Sequence, residues 1–130
     1  GPQRIDRLHA NARALRGELA REGFDVAGSS TQIVPIVVGD AGQTLRFCEL
    51  ALERGVFVQP VRPPAVPERG SRLRLSVMAS HSREELREAA RTLGRAALKA
   101  GFRPGAGVPA VAARAAGRIF DFEQDGRRAA

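Results

Sequence analysis

Val61-Arg62-Pro63-Pro64-Ala65-Val66-Pro67-Glu68-Arg69-Gly70-Ser71-Arg72-Leu73-Arg74-Leu75-Ser76-Val77-Met78-Ala79-Ser80-His81 is the stretch on which the fold turns. Each proline fixes φ and lacks an amide donor, so Pro63, Pro64 and Pro67 exclude a helix interior or a central strand and predict a stiff loop. The following residues alternate. On a strand, Arg72 and Arg74 share one face while Leu73 and Leu75 share the other, so one face turns to a core and the other is suited to anions. Ser82 and Glu85 then have the spacing of a capping box and predict a helix start just beyond His81.

Working outward, Leu86, Ala90, Leu93, Ala97 and Leu98 supply an apolar helical stripe that ends before Gly101. Upstream, Val56-Phe57-Val58 reads as a strand entering the proline loop, and Gly55 as the stop of a preceding helix over residues 41–54. Asp40 and Gln43 have capping-box spacing at that helix's start, with the Asp accepting from the third amide and the Gln reaching back. Ile33-Val34-Pro35-Ile36-Val37-Val38 is a β-branched run whose proline places it at a sheet edge or bulge. Ile5, Leu8, Ala12, Leu15 and Leu19 repeat at helical intervals over residues 4–22, and Gly23 follows as a stop.

The element order is therefore α-β-α-β-β-α. It predicts an α/β two-layer sandwich, a small mixed or antiparallel sheet covered on one face by amphipathic helices. Gly1-Pro2 looks like the residue of a protease site, so residues 1–3 are set apart and the domain is expected over 4–102. Residues 103–130 are rich in helix breakers and polar ends, with a weak Ala-rich helix at 108–118, and read as a tail or disordered extension.

Composition narrows the class. The chain has 130 residues, 43% hydrophobic and 27% charged, as in a soluble globular protein, and no apolar run nears the roughly 18 residues that span a bilayer. No signal-peptide core opens the sequence, and Cys48 is the only cysteine, which excludes an internal disulfide and a cysteine-built zinc site. A cytoplasmic location is expected. Cys48 falls between Leu45 and Leu52 at helical spacing, so it reads as a buried, inert thiol. His9 and His81 have no metal-ligand spacing, and no catalytic motif is complete.

The net charge of +7 permits a nucleic-acid reading, because phosphate neutralisation supplies most non-specific affinity. The arginines, however, alternate with glutamates (Arg16 and Glu18, Arg87 and Glu88) as on solvated helix faces. With six Phe and no Tyr or Trp, base-stacking platforms are also sparse, so nucleic acid is not the expected partner.

Taken together, the first helix, Gly39-Asp40, Glu53-Arg54-Gly55-Val56-Phe57-Val58, Arg62-Pro63-Pro64-Ala65-Val66-Pro67, Gly70-Ser71-Arg72-Leu73-Arg74-Leu75 and Met78-Ala79-Ser80-His81-Ser82 resemble the C-terminal small domain of the α-oxoamine synthases. The resemblance covers residues 4–102 in unbroken order. Within the family, Arg-Pro-Pro before Val-Pro and Arg-Leu-Arg-Leu after it look most like the biotin-pathway branch.

The family comprises fold-type I pyridoxal-phosphate enzymes that condense an amino acid with an acyl-CoA, releasing CO2 and CoA. The resemblance implies a parent enzyme, expected to be a homodimer, with pyridoxal phosphate as cofactor and amino acid and acyl-CoA as substrates. Arg74 matches the family arginine that pairs with the amino-acid carboxylate, a contact suited to a planar, permanently charged guanidinium. By its residues alone, Arg74 could instead form a surface ion pair with Glu49 or Glu53. Arg62, Pro64 and Val66 match the loop at the substrate entrance, where Arg62 meets a carboxylate or phosphate of the acyl-CoA or remains a solvated cation.

Ala65 departs from the Thr common in the biotin-pathway branch and weakens any inference about the acyl group. His81 reads as structural. The family's cofactor lysine, stacking histidine and pyridine-pairing aspartate match nothing here. Lys99 is the sole lysine and reads as a surface cation near a helix C-terminus. No catalytic, cofactor-binding or metal residue is therefore expected in this chain, which by itself should be inactive as an excised or truncated domain. The alternatives are a non-catalytic paralogue and an α/β binding module with a basic surface for nucleic acid or protein.

Overall fold

The computed structural model describes residues 2–26 and 32–105. Its elements are α1 (Pro2–Arg21), β1 (Ile33–Gly39), α2 (Ala41–Glu53), β2 (Val58–Val61), β3 (Ser71–Ser76) and α3 (Arg83–Lys99), in the expected order. The strands form one sheet in the order β1-β3-β2, and both neighbours run antiparallel to β3. The mixed-sheet option is thus settled as antiparallel. The expected tail helix at 108–118 lies outside the described residues.

Alternation along each strand separates two faces. Val34, Ile36, Val38, Val58, Leu73 and Leu75 enter the core with Leu15, Leu19, Phe47 and Leu93 from the helices. The helix α2 lies on all three strands, α1 on β1, and α3 packs against both α1 and α2. Pro35 sits in the edge strand β1. Val37, on the same edge, donates its amide to Asp25 O at 3.3 Å, so the donor that Pro35 lacks would have pointed away from β3.

All three helices stop in the same way. Gly23, Gly55 and Gly101 have φ of 94°, 84° and 81°, a left-handed conformation that glycine adopts without steric cost. In each case the next residue (Phe24, Val56 or Phe102) donates back five positions, to Leu19 O, Ala51 O and Ala97 O at 3.0, 3.0 and 2.9 Å. This is the Schellman arrangement, which satisfies orphan carbonyls and turns the following apolar side chain inward. Phe24 and Phe102 thereby meet Phe47 in one cluster, with ring centroids 5.9, 6.2 and 6.4 Å apart.

The same motif corrects the second strand. Val56 is engaged in the helix stop and Phe57 is 88% exposed, so pairing begins only at Val58 and runs through Pro60, which is tolerated because β2 is the other sheet edge. The third strand, which the alternation predicts over residues 72–78, runs instead over Ser71–Ser76. Two ends of the predicted apolar stripes prove to be surface: Ile5 and Leu98 are exposed. The helix α1 begins at Pro2 rather than Arg4, so residues 2 and 3 are helical.

Both N-caps form. Asp40 accepts from the Gln43 amide at 2.8 Å, but the Gln43 side chain turns to Ala100 O instead of reaching back. At Ser82 the box is complete, with Glu85 N donating to Ser82 Oγ at 3.1 Å and Ser82 N to Glu85 Oε1 at 2.9 Å. Ser82→Ala should therefore cost about 1 kcal/mol, read as a lower urea midpoint.

Hydrogen bonds from the Ser82 backbone amide hold the Glu85 carboxyl below its ordinary value of 4.5. A depressed pKa means that its stabilisation is present above pH 4.5 and is lost as the pH falls through the lowered value. The stability difference between the wild type and Glu85→Gln should accordingly shrink on acidification through that window. A difference that stays constant down to pH 3 would contradict the assignment.

Candidate functional site

The face of the sheet opposite the helices carries Arg72, Arg74 and Ser76 from β3, Pro35 and Val37 from β1, and Gln59 and Val61 from β2. Arg74 lies at its centre, in register with Pro35 on one side and Gln59 on the other. Pro35 is fully buried, while Arg74, Gln59 and Ser76 are exposed. The Arg74 guanidinium donates through its NH2 group to Gln59 Oε1. Glu49 and Glu53, the possible ion-pair partners, turn instead to Arg46 and Arg54 at 3.6 and 3.9 Å. Arg74 therefore presents its charge to solvent beside a neutral partner that a carboxylate ligand can displace.

The two arginines of this face divide. Arg72 is only 3% exposed, and its Nε donates to Gly70 O at 3.0 Å, so of the two guanidiniums expected on this open face only that of Arg74 reaches solvent. The sequence pattern assigned Arg72 to a face but contained no signal for what covers it.

The proline loop leaves the sheet directly after Val61, the ladder partner of Arg72. Arg62 is exposed and its carbonyl accepts from Ala65 N at 3.0 Å, closing a turn around a cis Pro63–Pro64 peptide. It begins three residues from Gln59, or roughly 10 Å along a strand, from the Arg74 position. Val66 is buried outside the main core cluster, so it anchors the loop rather than lining an open wall.

The loop closes in a second turn, Gly70 N donating to Pro67 O at 2.9 Å, with Arg69 at φ 64°. A left-handed conformation costs a side-chain-bearing residue roughly 1–2 kcal/mol, partly offset by the extra chain entropy of glycine. Arg69→Gly should raise stability by about 0.5–1 kcal/mol, seen as a thermal midpoint a few degrees higher. A lower midpoint would show that the Arg69 side chain contributes more than its backbone strain.

Behind the site, Asn11 of α1 fastens the segment that follows β3. Its Nδ2 donates to the carbonyls of Met78 and His81 at 2.9 and 3.0 Å, and His81 Nδ1 accepts from Met78 N at 3.1 Å. His81 is thus tied into this segment by its own side chain. Asn11 had no sequence signal, since it is one polar residue on an amphipathic helix. Burial, and then the charge of Glu49, push the Cys48 thiol above its ordinary value, which fits an inert core cysteine.

A cavity of about 680 Å3 lies elsewhere, among Leu15, Phe57, Leu75, Met78 and Leu86. Arg62, Val66 and Arg74 do not line it. Among the described residues, no helix is long and apolar enough to cross a membrane.

Arg74 is thus an exposed arginine at the centre of a three-stranded antiparallel sheet, beside a proline-built loop. The family model for aminotransferase class I and II matches residues 1–93, and the chain belongs to that family. Its similarity lies with the α-oxoamine synthases: it is 46% identical over 101 residues to 8-amino-7-oxononanoate synthase of Citrifermentans bemidjiense and 44% identical over 101 residues to that of Trichlorobacter lovleyi. Each alignment covers 78% of this chain and 26% of the relative. A variant of serine palmitoyltransferase from S. paucimobilis, solved with a bound PLP–myriocin aldimine, superposes with a TM-score of 0.65 at 31% identity, over 74% of this chain and 25% of that one.

The chain thus spans about a quarter of the length of the relatives it matches. Pyridoxal phosphate, the cofactor of this class, does not fit the residues present. Its carbonyl needs a lysine in a shielded site, and Lys99 is exposed in the last turn of α3.

Proposed function

We propose that this chain is the C-terminal substrate-binding domain of a pyridoxal-phosphate-dependent acyltransferase. The parent enzyme condenses an amino acid with an acyl-CoA, with decarboxylation, as an 8-amino-7-oxononanoate synthase of biotin synthesis does. The observation that carries the reading is the Arg74 guanidinium, exposed at the centre of the sheet within the segment that matches those synthases.

Arg74 binds and orients the carboxylate of the amino acid through a bidentate contact, exchanging Gln59 for the ligand. Fixing that carboxylate sets which bond at Cα is aligned for cleavage, a gain that comes from orientation rather than from proton transfer. Arg62, exposed at the start of the loop, meets an anionic group of the acyl-CoA. Val66 keeps the loop seated on the sheet. The cofactor and the groups that act on it belong to the part of the parent outside this chain. The parent is read as a cytoplasmic homodimer, and the open Arg74 face is completed by its other parts.

The test is CoA release by the full-length parent, followed with a thiol reagent against a panel of amino acids and acyl-CoA thioesters. Release that requires both substrates and pyridoxal phosphate supports the reading. Its absence across the panel would sink it.

A further inference from the structure

Arg72 and Arg74 are the same residue type, two positions apart on one face of one strand, yet one is buried and the other exposed. Placing a guanidinium away from water is costly unless its donors are matched, so the burial of Arg72 reflects a contact that its surroundings impose. Its Nε donates to Gly70 O at 3.0 Å. Gly70 is itself held by the hydrogen bond that its amide donates to Pro67 O at 2.9 Å. A Cβ on Gly70 would lie 3.0 Å from Pro67 O and 3.4 Å from the Arg72 NH2 group, so guanidinium, glycine and proline carbonyl are packed so closely that a methyl group would push its neighbours back.

The backbone of Arg72 acts at the opposite end of the same loop. Arg72 is the ladder partner of Val61, the residue directly before Arg62. One residue therefore fixes both ends of the 62–70 loop, its start through strand pairing and its end through the side chain. A lysine carries a methylene where arginine carries the Nε–H that bonds Gly70 O, so it cannot reproduce this contact.

We propose that Arg72 is a positioning residue that holds the 62–70 loop, and with it Arg62, in the geometry that receives the acyl-CoA; its catalytic consequence rests on the function proposed above. Arg72 itself touches no substrate.

The test compares amide exchange in the 130-residue chain and its Arg72→Met variant, which keeps much of the apolar volume and removes the donors. The amides of Ala65 and Gly70, bonded to Arg62 O and Pro67 O, should exchange at least about tenfold faster, while those of the β1–β3 ladder stay within about twofold. Unchanged exchange at Ala65 and Gly70, or equal acceleration throughout the sheet, overturns the proposal. If Arg72→Met does not fold, Gly70→Ala disturbs the same contact from its other side and should give the same local pattern.

In the full-length enzyme, Arg72→Met should raise KM for acyl-CoA about tenfold with kcat within twofold, and a fall in kcat at unchanged KM contradicts a positioning role. A wild-type parent that releases no CoA refutes the proposed function, and the exchange pattern still decides the role of Arg72.

Discussion

Arg74→Ala in the full-length enzyme should lower kcat/KM for the amino acid by roughly 10²–10³-fold, which corresponds to about 3–4 kcal/mol of lost transition-state binding. The magnitude follows from the chemistry. A charge-assisted, bidentate contact in a closed site is worth several kcal/mol, and truncation leaves the ligand carboxylate without its partner. Folding should scarcely change, because Arg74 is exposed and, among the described residues, its side chain bonds to the equally exposed Gln59. Arg74→Lys keeps the charge but not the fork and should recover only part of the loss. Parallel measurements of kcat/KM and the urea midpoint separate the two effects. Activity within threefold of wild type would mean that the substrate carboxylate is held elsewhere.

Much of this arrangement was legible in the residues because several independent signals coincide. Periodicity located three helices. Glycine located their ends, since only a left-handed residue closes the Schellman turn, and Asp40 and Ser82 located two of the starts. Where the signals compete, the reading failed. Val56 carries strand propensity, but its amide is taken by the helix stop, and Pro60 looks like a strand breaker although an edge strand accepts it.

Alternation is similarly limited. It places Arg72 and Arg74 on one face and is silent on burial, which depends on a loop folding back over one of them. The left-handed residue of the closing turn is Arg69 and not the adjacent Gly70, because the glycine is needed for close approach between Pro67 O and the Arg72 guanidinium. Single polar contacts across elements, such as Asn11 to the Met78 and His81 carbonyls, leave no trace in periodicity.

The largest effect on stability is expected from Phe47→Ala. Phe47 is fully buried in α2 and packs against both Phe24 and Phe102, each of which arrives at the core as the first residue beyond a helix-ending glycine. The cluster therefore couples the ends of α1 and α3 to the middle of α2, and removing one of its three rings leaves three elements facing a void. A Phe-to-Ala change in such a core costs about 3–5 kcal/mol, from lost transfer energy and from a cavity that rigid neighbours cannot close. Ring-to-ring contact adds about 0.5–1.5 kcal/mol per pair. Against a domain stability on the order of 5–15 kcal/mol, the loss should bring the urea midpoint close to collapse. Phe47→Leu retains most of the apolar volume and should cost roughly 1.5 kcal/mol or less. Near-equal midpoints for Phe47→Ala and Phe47→Leu would show that the core relaxes around the missing ring, and that the two helix ends are not held by this contact.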